Sequence, residues 1–130
     1  MKSIVLDTSA YSNLMVGSEI VMTAIAESET VYMSIFVLGE LYAGFKGGNK
    51  EEQNGAILKK LLKKPSVKIL NATKETAEIF AATKHRLQKK GTPIPINDIW
   101  IAAHTFESGS VLVTFDKHFD VVDGLRIYNN

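Results

Sequence analysis

The sequence predicts an α/β protein: a parallel sheet covered by helices on both faces. Two patterns carry that reading. Short β-branched runs alternate with helix-length segments that have an apolar face. Caps and stops then punctuate the chain at each change of period.

The runs Ile4–Leu6, Val31–Met33, Val67–Leu70 and Val111–Thr114 are too short for helices and read as buried strands. Ser9 to Val16 reads as a helix, and Glu19 to Ala26 as another with Ser18 as its cap. Ser34 caps a helix running to about Phe45, which Gly47 and Gly48 end. Lys50 to Lys64 is helical until Pro65 stops it. Thr73 caps a long helix to Lys90, closed by Gly91. Pro93 and Pro95 hold an extended loop. Asn97 is expected to cap a helix to Ser108, and Leu125 to Tyr128 to form a last strand. Without a linker, repeat or low-complexity tract, residues 1–130 are expected to form one domain.

Composition narrows the classes. The chain has 130 residues, 45% apolar, enough for one core. There is no run of eighteen uncharged apolar residues to span a membrane. The apolar run before Asp7 is too short for a signal peptide, so a cytoplasmic protein is expected. Cysteine is absent, which removes disulfide frameworks and thiolate metal sites. Fifteen Lys and Arg stand against fourteen Asp and Glu, a net charge of +1. The bases cluster, however. Lys59, Lys60, Lys63, Lys64, Lys68 and Lys74 form one group, and Lys84, His85, Arg86, Lys89 and Lys90 a second. Such clusters are solvated helix faces in most proteins and polyanion contacts in some.

Four acids interrupt apolar stretches: Asp7, Glu40, Asp98 and Asp116. A carboxylate against buried surface costs several kcal/mol unless something pairs with it. Only Asp116, followed by Lys117, has a base beside it in sequence. Taken singly, each acid reads as a helix cap or a turn residue. Taken together they fall at equivalent ends of α/β units, the edge where open parallel sheets bind ligands. Oxygen ligands drawn from separate segments suit a hard divalent cation. Such a cation can activate water against a phosphodiester and bind its oxygens, with one or two ions equally open. Thr8, Ser9 and Thr114 are hydroxyl residues beside Asp7 and Asp116, able to orient a ligand or to cap and pack. His118, two residues after Asp116, can approach a substrate or pack over the sheet edge. His104 reads as a packed histidine, and Trp100 as a core or dimer contact.

The motifs LDTSA at Leu6–Ala10, ELYAG at Glu40–Gly44, NDIWIAAHTFESG at Asn97–Gly109 and VTFDKHF at Val113–Phe119 resemble those of the PIN domain. More narrowly, they resemble the VapC toxins of toxin–antitoxin pairs. The likeness implies a three-layer α/β/α sandwich around a central, mostly parallel sheet. It implies a metal-dependent endoribonuclease using Mg²⁺, or Mn²⁺, with Asp7, Glu40, Asp98 and Asp116 as the catalytic and metal-binding acids. It further implies an RNA substrate, contacted here by Lys84 and Arg86, a VapB-type antitoxin partner and a homodimer. Many relatives carry Asn where this chain has Ser9. The alternative is a PIN-like module that binds RNA or a partner without cutting, for which loss of an acid would be the mark.

Overall fold

The computed structural model describes residues 1–128. Among these, four strands form one sheet: β1 (Ser3–Leu6), β2 (Thr30–Ser34), β3 (Val67–Leu70) and β4 (Val111–Val113). Six α-helices accompany it: α1 (Thr8–Met15), α2 (Glu19–Ala26), α3 (Ile35–Gly47), α4 (Glu51–Leu62), α5 (Lys74–Lys90) and α6 (Ile96–Glu107). A 3₁₀ turn spans Lys117–Val121.

The strand order is β3-β2-β1-β4, and every pairing is parallel. Ile4, Val5 and Leu6 are consecutive and fully buried. Neighbouring residues of a strand point to opposite faces, so both faces of β1 are covered. α1, α2 and α4 line a common apolar groove with Val31 and Val67. α5 and α6 pack against each other, and α3 touches α1, α4 and α6. The chain steps from β1 to β2 to β3 and then returns across the sheet to β4. Right-handed crossovers require the returning helices to lie on the face opposite the first ones. The direction of travel therefore reverses between β1 and β4, which makes the carboxyl end of that strand pair the switch point.

Local chemistry explains most boundaries. The Ser18 and Ser34 hydroxyls accept from the backbone of Val21 and Phe36 at the starts of α2 and α3. Thr73 and Thr76 exchange hydrogen bonds as a capping box at α5. Gly91 ends α5 at φ 77°, which only glycine adopts readily.

Two expectations change. Pro95, not Asn97, occupies the N-cap of α6, with no side-chain cap bond. Its ring fixes an extended entry, so Asn97 falls inside the first turn. The last strand is reduced to a single parallel bridge, Leu112 with Ile127. Leu112 N–H donates to Arg126, and Tyr128 N–H to Leu112. Gly124, at φ 81°, turns the chain just before this segment.

Candidate functional site

The register of the central strands builds the first part of the site. Leu6 pairs with Val113, so Asp7 and Thr114 leave the sheet side by side. The Thr114 hydroxyl donates to Asp7 Oδ2. Asp7 Oδ1 accepts from the Ser9 hydroxyl at 2.7 Å and from the Ala10 N–H at 2.8 Å, which caps α1. Ser9 Oγ in turn accepts from the Phe115 N–H at 2.9 Å, tying the loop after β4 to the start of α1. Burial pushes the Asp7 carboxyl above its ordinary pKa. Those three donors work against the shift, and the charge of Asp116 adds to it.

Three more acids converge there. Asp116 lies three residues beyond β4 and caps the 3₁₀ turn by accepting from His118 N–H at 2.9 Å. Asp98 is in the first turn of α6. Glu40 is on the second turn of α3, where the Thr8 hydroxyl holds its Oε1 at 2.6 Å. Burial raises the Asp98 pKa; the hydrogen bond and charge of His118 lower it, while the charges of Asp116 and Glu40 raise it. The charge of Asp116 thus bears on both Asp7 and Asp98, and that of Glu40 on Asp98. Among the described residues no Lys or Arg forms an ion pair with any of them.

His118 is the residue that sequence reasoning undervalued. Its Nδ1 lies 3.1 Å from Asp98 Oδ2 and 3.2 Å from Asp116 Oδ1. Asp98, Asp116 and His118 each offer one donor atom, and the three atoms lie within 4.8 Å of one another. The available signal was the Asp-x-His spacing just past a strand, where a tight turn points both side chains back to the sheet edge. The donor set fits a divalent cation. Lone pairs remain free on Asp98, Asp116 and Glu40, whereas Asp7 Oδ1 already accepts two bonds and only Oδ2 keeps one.

The other candidates fall elsewhere. His104 is buried, with Nδ1 2.8 Å from Ser34 Oγ and Nε2 3.3 Å from the Asn71 carbonyl, a packed histidine as expected. Trp100 is half-buried and stacks on Phe80 at 3.9 Å and on Phe36 at 4.8 Å between ring centroids. Its ring is thereby occupied by α5 and α3. Lys84 is half-buried on α5, one turn beyond Phe80. Arg86 is exposed beside Val121 to Asp123. The lysines of α4 and its flank are exposed, with Leu58 buried beneath them. No described helix is long and apolar enough to cross a membrane.

Comparison with known proteins agrees with this geometry. The PIN domain family model matches residues 4–125. Ribonuclease VapC2 of Haemophilus influenzae is 34% identical over 98 residues, covering 75% of this chain and 73% of the relative. Ribonuclease VapC2 of Rickettsia felis is 29% identical over 106 residues, covering 81% and 78%. The solved structure of VapBC-1 from nontypeable Haemophilus influenzae superposes with a TM-score of 0.85 at 26% identity, covering 98% of this chain and 97% of that one. The match of the family across nearly the whole fold, and of VapC proteins across most of their length, means that this chain belongs to the PIN-domain family and to the VapC group within it.

Proposed function

We propose that the chain is a divalent-cation-dependent endoribonuclease acting as the toxin of a VapBC-type pair. What supports this is Asp98 and Asp116 standing with His118 within 4.8 Å of one another, Asp7 and Glu40 held at the same sheet end by Thr114 and Thr8, and no Lys or Arg ion pair to any of the four acids among the described residues. Asp98, Asp116 and Glu40 would hold Mg²⁺ or Mn²⁺ through their free lone pairs, and Asp7 through the one left on Oδ2. The bound cation supplies Lewis acidity toward phosphate oxygens and a water of lowered pKa. Thr8 fixes Glu40, and Ser9 and Thr114 fix Asp7, so these carboxylates need little reorganisation when substrate arrives. Hydrolysis adds the water oxygen to phosphorus and breaks the bond to the 3′ oxygen. It leaves 5′-phosphate and 3′-hydroxyl ends.

RNA fits the surroundings. Lys84 and Arg86 supply positive charge on α5. Ile35, Ile96 and Phe115 are 39%, 49% and 43% exposed at the helix starts and strand end of the same edge. Apolar surface beside a phosphate site suits bases splayed from a single strand. The VapC relatives are named ribonucleases, and the Haemophilus influenzae neighbour is a VapBC assembly. A VapB-type antitoxin placing Arg or Lys among the four carboxylates would gain charge-assisted bonds and compete with the cation. A homodimer completes the proposal.

The test is cleavage of RNA by purified protein with Mg²⁺ or Mn²⁺ and with excess chelator, followed by analysis of product ends. Cleavage confined to the cation lanes is expected. Cleavage that persists in chelator and leaves 2′,3′-cyclic phosphates would overturn the mechanism. Co-expression with an adjacent small gene should yield a copurifying complex that no longer cleaves.

A further inference from the structure

We infer that His118 is a nitrogen ligand of this cation centre, and that it biases the site toward transition-series divalent ions over Mg²⁺. The inference rests on the proposed function and goes beyond it. The acids alone make an all-oxygen site, the kind that suits Mg²⁺. An imidazole in the set favours ions further along the transition series.

Three observations carry it. The first is spacing. Donor atoms on adjacent positions around a small divalent ion sit about 3 Å apart, because the bonds are about 2.1 Å and nearly perpendicular. His118 Nδ1 stands 3.1 Å from Asp98 Oδ2 and 3.2 Å from Asp116 Oδ1, so one ion can reach the nitrogen and both carboxylates. The second is aim. His118 N–H is tied to Asp116 Oδ1, and the next residue, Phe119, is 1% exposed in the core. The backbone of the turn is thus pinned on both sides of the ring. The third is the contrast with His104, whose two ring nitrogens are taken by Ser34 and Asn71. The partners of His118 Nδ1 are the two carboxylates themselves.

The test reads the metal, not the reaction. Mn²⁺ is added to the full chain without RNA, and nitrogen-14 coupling to the bound ion is measured by pulsed electron paramagnetic resonance. Wild type should show the coupling. His118→Ala should lose it, while His85→Ala, altered on exposed α5, should keep it. Titration calorimetry should show Mn²⁺ affinity falling at least about tenfold in His118→Ala, the scale on which even an outer partner matters. Mg²⁺ affinity should fall less. His118→Gln, which keeps a polar side chain, guards against a folding defect and should also lose the coupling. Bound Mn²⁺ without nitrogen coupling in wild type, or equal losses for the two ions, overturns this inference alone. Absence of any Mn²⁺ binding overturns it together with the metal-dependent function.

Discussion

Asp7 and Asp98 face the same centre yet are held in opposite ways. Asp7 is 4% exposed and accepts from Ala10, Ser9 and Thr114. It joins β1, α1 and the end of β4. Among the described residues Asp98 accepts one side-chain hydrogen bond, from His118. A carboxylate saturated by donors is part of the framework. One left with a single histidine contact, its side chain 13% exposed among like charges, is costly unless a ligand arrives. Both can serve one cation, but only Asp7 also builds the protein.

The largest expected effect concerns catalysis. Asp98→Asn and Asp116→Asn should each lower RNA cleavage by more than about a hundredfold, beyond the loss typical of outer-shell groups. Circular dichroism and oligomeric state should stay unchanged. Cleavage within about tenfold of wild type in Asp98→Asn would break the comparison, because Asp98 would then have no role beyond its helix dipole.

Next in size is the structural duty of Asp7. Removing an N-cap costs about 1 kcal/mol, and each buried donor left unpaired costs about 1–3 kcal/mol more. Asp7→Ala should therefore lose about 2–3 kcal/mol in urea unfolding with chelator present. Asp98→Ala should change by less than about 0.5 kcal/mol or gain. Similar losses at both positions would show that Asp98 is also structural.

Much of this was legible in the sequence. The four acids could be picked out because charges inside apolar runs are rare, and Ile4–Leu6 before Asp7 already said strand then site. Ser18, Ser34, Thr73 and Gly91 announced their helix ends because caps act over three or four residues. What stayed hidden depends on register and on distant contacts. The division of labour between Asp7 and Asp98 follows from Leu6 pairing with Val113, which brings Thr114 to Asp7 across 107 positions. His118 meets Asp98 across 20 positions; the Asp-x-His spacing marks the turn but not the distant carboxylate it reaches. Asn97 misled because Pro95 fixes the start of α6 two residues earlier. The C-terminal run Leu125–Tyr128 had strand composition, but among the described residues it makes one bridge, Leu112 with Ile127.

A smaller effect sharpens the same contrast. Two carboxylates about 5 Å apart at an effective dielectric of about 20 repel by roughly 3 kcal/mol before relaxation. Relaxation of the pair and solvent screening at Asp116, whose side chain is 37% exposed, remove most of that. Asp98→Asn should thus raise the unfolding free energy by about 1 kcal/mol in chelator, and Glu40→Gln by less because Thr8 already holds it. In saturating Mg²⁺ or Mn²⁺ the gain should shrink or reverse, since a ligand stabilises only the intact site. A gain that is the same with and without cation would mean that Asp98 contributes no binding.

The smallest effect belongs to the histidine that the site does not use. Burial lowers the pKa of His104 from its ordinary 6.5, opposed by the Asn71 carbonyl and by Glu107. Between 6.5 and that lower value the unfolded chain binds a proton that the native state refuses, so stability falls as pH falls. One group can contribute a slope of at most about 1.4 kcal/mol per pH unit. His104→Gln carries no titrating ring there. Subtracting the two stability profiles, measured in chelator, should leave a difference that is flat above 6.5 and shifts in favour of the variant below it. The variant starts lower, because the contact of Nδ1 with Ser34 at 2.8 Å is disturbed, so the slope and not the offset is the reading. A difference with no slope would mean that the buried ring accepts its proton as readily as the unfolded one, for instance by turning Nε2 toward water.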